Sequence, residues 1–82
     1  MRIDKFLKVS RIVKRRTVAK EVCDEERIYV NGNPCKPSKE VKIGDVVTVK
    51  FGNRSLSVKV LATDQTVTKA QASELYEIIE EN

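Results

Sequence analysis

The sequence predicts an α+β fold: two N-terminal helices packed on a small antiparallel sheet, followed by a hairpin and a C-terminal helix. Three observations carry this. Apolar residues recur at spacings of three and four over residues 2–13 and again over 18–23. Apolar and polar residues alternate over 47–51 and 56–60, on either side of Gly52-Asn53. Ala72, Leu75, Tyr76 and Ile79 then repeat at three and four.

In the first element, Ile3, Phe6, Leu7 and Ser10 fall on one side of a helix, and Lys5, Lys8 and Arg11 fall largely on the other. Asp4 stands where it can cap the helix start or favour it by charge. Val9 and Ile12 lie off the stripe, which leaves the end of this helix open. Lys14-Arg15-Arg16-Thr17 reads as a turn into a second helix, with Thr17 as its N-cap and its end near Glu26 or Arg27. Val18, Ala19, Val22 and Cys23 form its expected apolar face.

Arg27–Val30 has the composition of a short strand, and Asn31-Gly32 is a strong turn signal because both residues tolerate positive φ. Pro34 and Pro37 predict an irregular segment, with Val41 and Ile43 pairing briefly before a turn at Gly44-Asp45. In the following hairpin, pairing Phe51 with Arg54 across Gly52-Asn53 sets Val49 opposite Leu56 and Val47 opposite Val58, so both apolar sets share one side. Residues 62–67 read as a polar link, and the last helix should begin near Thr68 or Lys69 with an acidic outer face.

Charge separates the two ends of the chain. Among its 82 residues 34% are charged, above the roughly 25% usual for soluble domains, and the formal net charge is +4. Eight cations, Arg2, Lys5, Lys8, Arg11, Lys14, Arg15, Arg16 and Lys20, lie in the first twenty residues against the single acid Asp4. Residues 63–82 hold five acids and one base, Lys69. A cationic end opposed to an anionic one suits a polyanion bound on one side only. The acidic tail would then repel RNA and so orient the docked domain, or touch a protein partner.

Nucleic-acid affinity begins with Lys and Arg neutralising phosphates, and arginine holds a phosphate at two points. Lys14, Arg15 and Arg16 stand at the expected N-terminus of the second helix, where free N–H groups and the helix dipole attract anions. The competing reading of the basic stretch is a solvated helix face, disfavoured by the near absence of acids from it. Asn31-Gly32 and Lys36-Pro37 either face RNA, with Lys36 the better phosphate contact, or serve only the turn.

Other chemistries lack their residues. No histidine is present, so the commonest general base is missing, and no Gly-rich phosphate loop occurs. Cys23 and Cys35 have no third cysteine or histidine to complete a zinc site. Cys23 lies on the apolar face, and Cys35 is a loop thiol that is either reactive or simply exposed. No catalytic residue, metal or cofactor is expected. No segment is apolar enough to cross a bilayer, and charges at positions 2, 4, 5 and 8 interrupt any signal-peptide core. A cytosolic protein with free thiols is expected.

Arg2-Ile3-Asp4-Lys5-Phe6-Leu7, Ser10-Arg11, Lys14-Arg15-Arg16-Thr17, Ala19, Val30-Asn31-Gly32, Lys36-Pro37 and Gly44-Asp45 together resemble the S-four RNA-binding domain family. The match runs in order and spacing over residues 1 to about 50. The resemblance implies two helices on a small bent sheet, the family's αL motif, with the helical face binding structured RNA. It implies one domain over 1–82, with its core at 1–50 and a hairpin and helix extension at 51–82. By position it implies that Arg2, Lys5, Lys8, Arg11, Lys14, Arg15 and Arg16 face RNA. Many members have Ser or Thr at the place of Arg15, so that residue departs from the wider pattern.

The length and Lys-Arg-Arg-Thr before the second helix look like the bacterial ribosome-associated quality-control branch of that family, a relative of the small S-four heat-shock branch. That branch implies large-subunit ribosomal RNA, peptidyl-tRNA and a quality-control elongation factor as partners. It implies support of alanine-tail synthesis on stalled peptides and a monomer when free. Three alternatives stay open: a general S-four protein binding other structured rRNA or tRNA, an accessory subunit of an RNA-modifying enzyme, and a DNA- or protein-binding adaptor.

Overall fold

The computed structural model describes residues 1–63, 68 and 70–81, without the side chain of Arg16. In chain order the elements are α1 (Ile3–Val9), α2 (Arg16–Asp24), β1 (Ile28–Val30), β2 (Asn33–Pro34), β3 (Val46–Phe51) and β4 (Arg54–Val60). A 3-10 turn at Ala72–Leu75 and β5 (Tyr76–Glu81) follow. The strands form one antiparallel sheet in the order β2-β1-β3-β4-β5.

The core is built from one face of each element. Ile3, Phe6 and Leu7 of α1 meet Ala19 and Cys23 of α2 over Ile28, Val30, Val47, Val49, Val58 and Val60 of the sheet. Burying such side chains contributes roughly 1.5–3 kcal/mol each. Val13 and Val41, from the connecting segments, and Leu75 close the same core. Ser10, on the apolar stripe of α1, is buried as expected, its hydroxyl donating to the Leu7 carbonyl at 3.3 Å.

The first helix, whose end the sequence left open, stops at Val9, and α2 stops at Asp24, shortly before the expected Glu26 or Arg27. Arg11 takes φ 62° and its N–H donates to the Lys8 carbonyl, while Val13 N–H turns back to the Leu7 carbonyl. Glu26 takes φ 59°; its N–H donates to Cys23 and that of Arg27 to Val22. Left-handed residues of this kind close helices by satisfying their last carbonyls. Glycine normally marks such a place, and neither position carries one. The N-cap of α2 is Arg15 rather than Thr17, because Arg15 is the last extended residue (φ −128°, ψ 140°) and its carbonyl accepts the Ala19 N–H. Ala19 and Cys23 are buried and Val22 half-buried, but Val18 is 41% exposed and does not join the core.

The strands follow the sequence more closely. Asn31 and Gly32 both take positive φ (52° and 84°) in the two-residue turn between β1 and β2. The β3–β4 pairing is Phe51↔Arg54, Val49↔Leu56 and Val47↔Val58, as expected, around Gly52 at φ 55°. Pro34, expected in an irregular segment, joins the short edge strand β2 opposite Tyr29, a place that needs no donor from it. Val41 is buried, but its neighbour Ile43 is 68% exposed; the bridge at this point joins Arg2 with Glu40 instead.

The expected C-terminal helix is not formed. Ala72 and Leu75 are buried in a single 3-10 turn, and Tyr76–Glu81 pairs with β4 as an edge strand. Its apolar residues fit both periods: Tyr76 and Ile79 suit a helix, whereas Tyr76 and Ile78 alternate and lie opposite Val60 and Val58. The unpaired edge of β4 decides between them, since it offers a ladder of backbone hydrogen bonds to the segment. The link expected at 62–67 and the helix start at Lys69 lie largely outside the described residues.

Asn31 holds two loops together. Its side-chain amide donates to Asp45 at 3.2 Å and its carbonyl oxygen accepts the Val46 N–H at 2.9 Å. Asn31→Ala removes both bonds and places a Cβ-bearing apolar residue at positive φ. The expected loss is roughly 2 kcal/mol in urea unfolding, with a smaller loss for Asn31→Gly, which keeps the backbone unstrained.

Candidate nucleic-acid interface

The cationic face begins where the chain start is fastened to the loop at 37–41. The Ile3 N–H donates to the Lys39 carbonyl at 2.7 Å, Asp4 N–H to Pro37 at 3.2 Å, and Val41 N–H returns to Met1 at 2.8 Å. The N-terminal ammonium pairs with Glu40 at 3.1 Å. These bonds use up the first donors of α1, so this helix end is not an anion site. They also fix its rotation: Phe6 and Leu7 point inward, and Lys5 and Lys8, three residues apart, share the opposite face.

Asp4, the single acid of the basic stretch, is 2% exposed. Its carboxylate accepts the Lys5 N–H at 2.8 Å and one guanidinium N–H of Arg2 at 3.1 Å. No side chain caps α1. Asp4 instead sits in its first turn, where a negative charge suits the helix dipole. With that carboxylate turned inward, the outward surface of the stretch carries cations alone.

The structure places the expected contact residues as follows. Arg2, Lys8, Arg11, Lys14, Arg15 and Lys20 are exposed, and Lys5 is half-buried. Arg11, Lys14 and Arg15 occupy the connection between the helices. Arg16 opens α2, its side chain lying outside the described part of the structure, and Lys20 follows one turn later. No side chain caps the start of α2, so its leading N–H groups face the Lys14-Arg15 corner without a protein acceptor from a capping residue. The loop at 37–41 thus takes the first donors of α1, whereas α2 opens directly after Lys14 and Arg15.

Lys36 belongs to a second cationic group. With Lys39 and Lys42 it lines a half-open cleft of about 570 Å³, beside Asn31, Glu40 and Asp45. Both acids are engaged by the fold: Glu40 holds the N-terminal ammonium, and Asp45 accepts from Asn31 and from the Lys42 N–H at 2.9 Å. Lys39 and Lys42 went unrecognised in the sequence because they are spread along an irregular loop with no periodicity. The side-chain amide of Asn31 bonds Asp45 and the Val46 N–H, so it has a structural task in the turn.

The cysteines behave differently from one another. Cys23 is buried in the core and Cys35 is half-buried against it. Cys35 also donates to the Ile28 carbonyl at 3.7 Å. Burial first, and then the neighbouring Cys35, pushes the Cys23 thiol up to about 12. Burial raises Cys35 as well, so neither thiol is poised as a nucleophile at neutral pH. Among the described residues no three His, Cys, Asp or Glu side chains gather as metal ligands.

The S4 domain family model matches residues 1–47, the part of the chain that holds both helices, the fastening loop and the lysine cleft. The chain belongs to the S4 domain family. It is 56% identical over 81 residues to the RQC P-site tRNA stabilizing factor of Streptococcus pneumoniae, covering 99% of this chain and 92% of that one. The protein of the same name from Bacillus subtilis is 52% identical over 81 residues, covering 99% and 94%. Among solved structures, the trimeric structure of Vibrio cholerae heat shock protein 15 superposes with a TM-score of 0.86 at 30% identity, over 96% of this chain and 81% of that one. That superposition covers far more of the chain than the family model, which ends at residue 47.

Because the folded state holds the Cys23 proton more tightly than the unfolded chain, unfolding above the ordinary thiol value of 9.0 releases a proton. Stability contributed by this group is present below that pH and declines as pH rises toward about 12. In urea titrations across this range, Cys23→Ala should show a shallower alkaline loss than the parent chain. Equal slopes would exclude the thiol as the cause.

Proposed function

We propose that this chain is a non-enzymatic RNA-binding factor of translation that acts by positioning. The carrying observation is the inward turn of Asp4. It leaves Arg2, Lys5, Lys8, Arg11, Lys14, Arg15 and Lys20 as a cationic surface with no other acid in the first twenty residues, to which Arg16 would add. Such a surface meets phosphates of structured RNA, whose A-form helices are read mainly through backbone and shape. Lys36, with Lys39 and Lys42, extends it around the fastening loop. Residues 1–50 supply the contacts and 51–82 the supporting extension, joined by one core that runs from Ile3 to Leu75.

The names of the similar proteins support the finer reading. The chain binds large-subunit ribosomal RNA and tRNA on obstructed large subunits in the cytoplasm, as a monomer when free. There it steadies peptidyl-tRNA while a quality-control elongation factor extends the stalled peptide with alanine. The decisive experiment is sedimentation of a lysate after translation is stalled. Enrichment of the chain on large subunits carrying peptidyl-tRNA is expected. Migration with small subunits or free tRNA would instead leave a general S4 binder of other structured RNA, or an accessory subunit of an RNA-modifying enzyme.

Two variants test the phosphate contacts. Lys14→Ala with Arg15→Ala should weaken RNA binding by roughly 1–3 kcal/mol per side chain and leave urea stability unchanged. The slope of log affinity against log salt should fall by about 0.7–0.9 for each cation removed. Arg2→Ala is expected to weaken binding and also to reduce stability, because it removes the Arg2 guanidinium from the buried Asp4 carboxylate. Arg2→Lys, which keeps a cation there, should recover most of the stability.

A further inference from the structure

The cleft beside the fastening loop is a concave site, unlike the outward cations of the helices. Its volume of about 570 Å³ falls in the range usual for small-molecule sites, roughly 300–1,000 Å³. Lys36, Lys39 and Lys42 stand around it, and Pro34 and Cys35 add apolar lining. Among the described residues, none of these three ammonium groups takes part in an ion pair. The two carboxylates of the cleft are held by other groups: Glu40 by the N-terminal ammonium, and Asp45 by the Asn31 amide and the Lys42 N–H. The lysine charges are thus left for a ligand.

Backbone bonds, not these side chains, set the frame of the cleft. The Lys39 N–H donates to the Lys36 carbonyl and the Asp45 N–H to the Lys42 carbonyl, each at 3.0 Å. The Ile3 N–H meets the Lys39 carbonyl, and Arg2 bridges to Glu40, so the cleft begins at the foot of α1. The backbone of an RNA duplex is convex; it can touch the rim of a concave site but cannot fill it. A nucleotide turned out of the helix can fill it. Its phosphates meet lysines, and its base meets the apolar lining and the exposed Ser38. Unpaired bases of this kind are what proteins use to tell one structured RNA from another.

We propose that the cleft receives one unpaired nucleotide of the RNA that lies along the helices, with its phosphates against Lys36, Lys39 and Lys42 and its base against Pro34 and Cys35. The inference rests on the RNA-binding reading above and adds to it a preference for RNA with a nucleotide bulged out of a helix. The outward cations of α1 and α2 supply general affinity, and the cleft supplies discrimination.

The test uses the full chain and three RNA hairpins of otherwise identical sequence. One is fully paired, one carries a single bulged nucleotide, and one carries the same bulge without its base. The bulged hairpin should bind about tenfold tighter than the paired one, and removal of the base should abolish most of that gain. Amide NMR shifts over residues 35–42 should accompany the intact bulge alone. Lys36→Ala with Lys42→Ala keeps the backbone bonds of the loop, so its urea midpoint should match the parent chain. Its ratio of bulged to paired affinity should fall close to one. Equal binding of paired and bulged RNA, full retention of the gain without the base, or a ratio unchanged in the double variant would overturn the cleft assignment and leave the RNA reading standing. A free nucleoside monophosphate that shifts the same amides at lower concentration than bulged RNA would assign the cleft to a small molecule instead. Absence of binding to all three hairpins would overturn the RNA reading and the cleft assignment together.

Discussion

The fastening of the first residues to the loop at 37–41 is the constraint on which the rest depends. Three backbone hydrogen bonds and one ion pair join residues 1–4 to residues 37–41, far apart in sequence. They satisfy donors that a helix start otherwise leaves to water or a cap. They set the rotation of α1, and with it the division between Phe6 and Leu7 inside and Lys5 and Lys8 outside. They also bring the lysine cleft beside the start of the basic helix. A single set of main-chain contacts thereby couples core formation to presentation of charge.

Asp4 shows how a small protein can keep a cationic surface free of compensating acid. A carboxylate taken out of water normally destabilises unless it is paired and hydrogen-bonded. Here the Lys5 N–H, the Arg2 guanidinium and the positive end of the helix dipole meet that need. The pairing also ties Arg2 to the fold, so this arginine has both a structural and an electrostatic task. Arg15, by contrast, caps α2 with its backbone alone and leaves its side chain outward.

The opposite ends of the sheet carry opposite chemistry. The β2 side adjoins lysines, and the β5 side is an acidic edge with exposed isoleucines. A charge gradient of this kind orients the molecule before contact, since fields act over about 10 Å at moderate ionic strength. The exposed isoleucines beside the glutamates show why net charge alone is a poor guide to the C-terminal end.

Wherever a local rule and a burial pattern agreed, the sequence by itself determined the outcome. The β3–β4 register followed from alternation on both sides of Gly52-Asn53, because a one-residue slip would turn Val47, Val49 and Val58 out of the core. The α1 stripe, the Asn31-Gly32 turn and the exposed cations were legible for the same reason. Tertiary structure decided the rest. Arg11 and Glu26 end their helices at positive φ with no glycine to announce it, held there by hydrogen bonds to preceding carbonyls. Residues 76–81 fit a helix and a strand equally well in sequence, and the open edge of β4 made them a strand. Lys39 and Lys42 joined Lys36 only because the chain start pins their loop. In each case the deciding partner lies outside the local window, and periodicity carries no record of it.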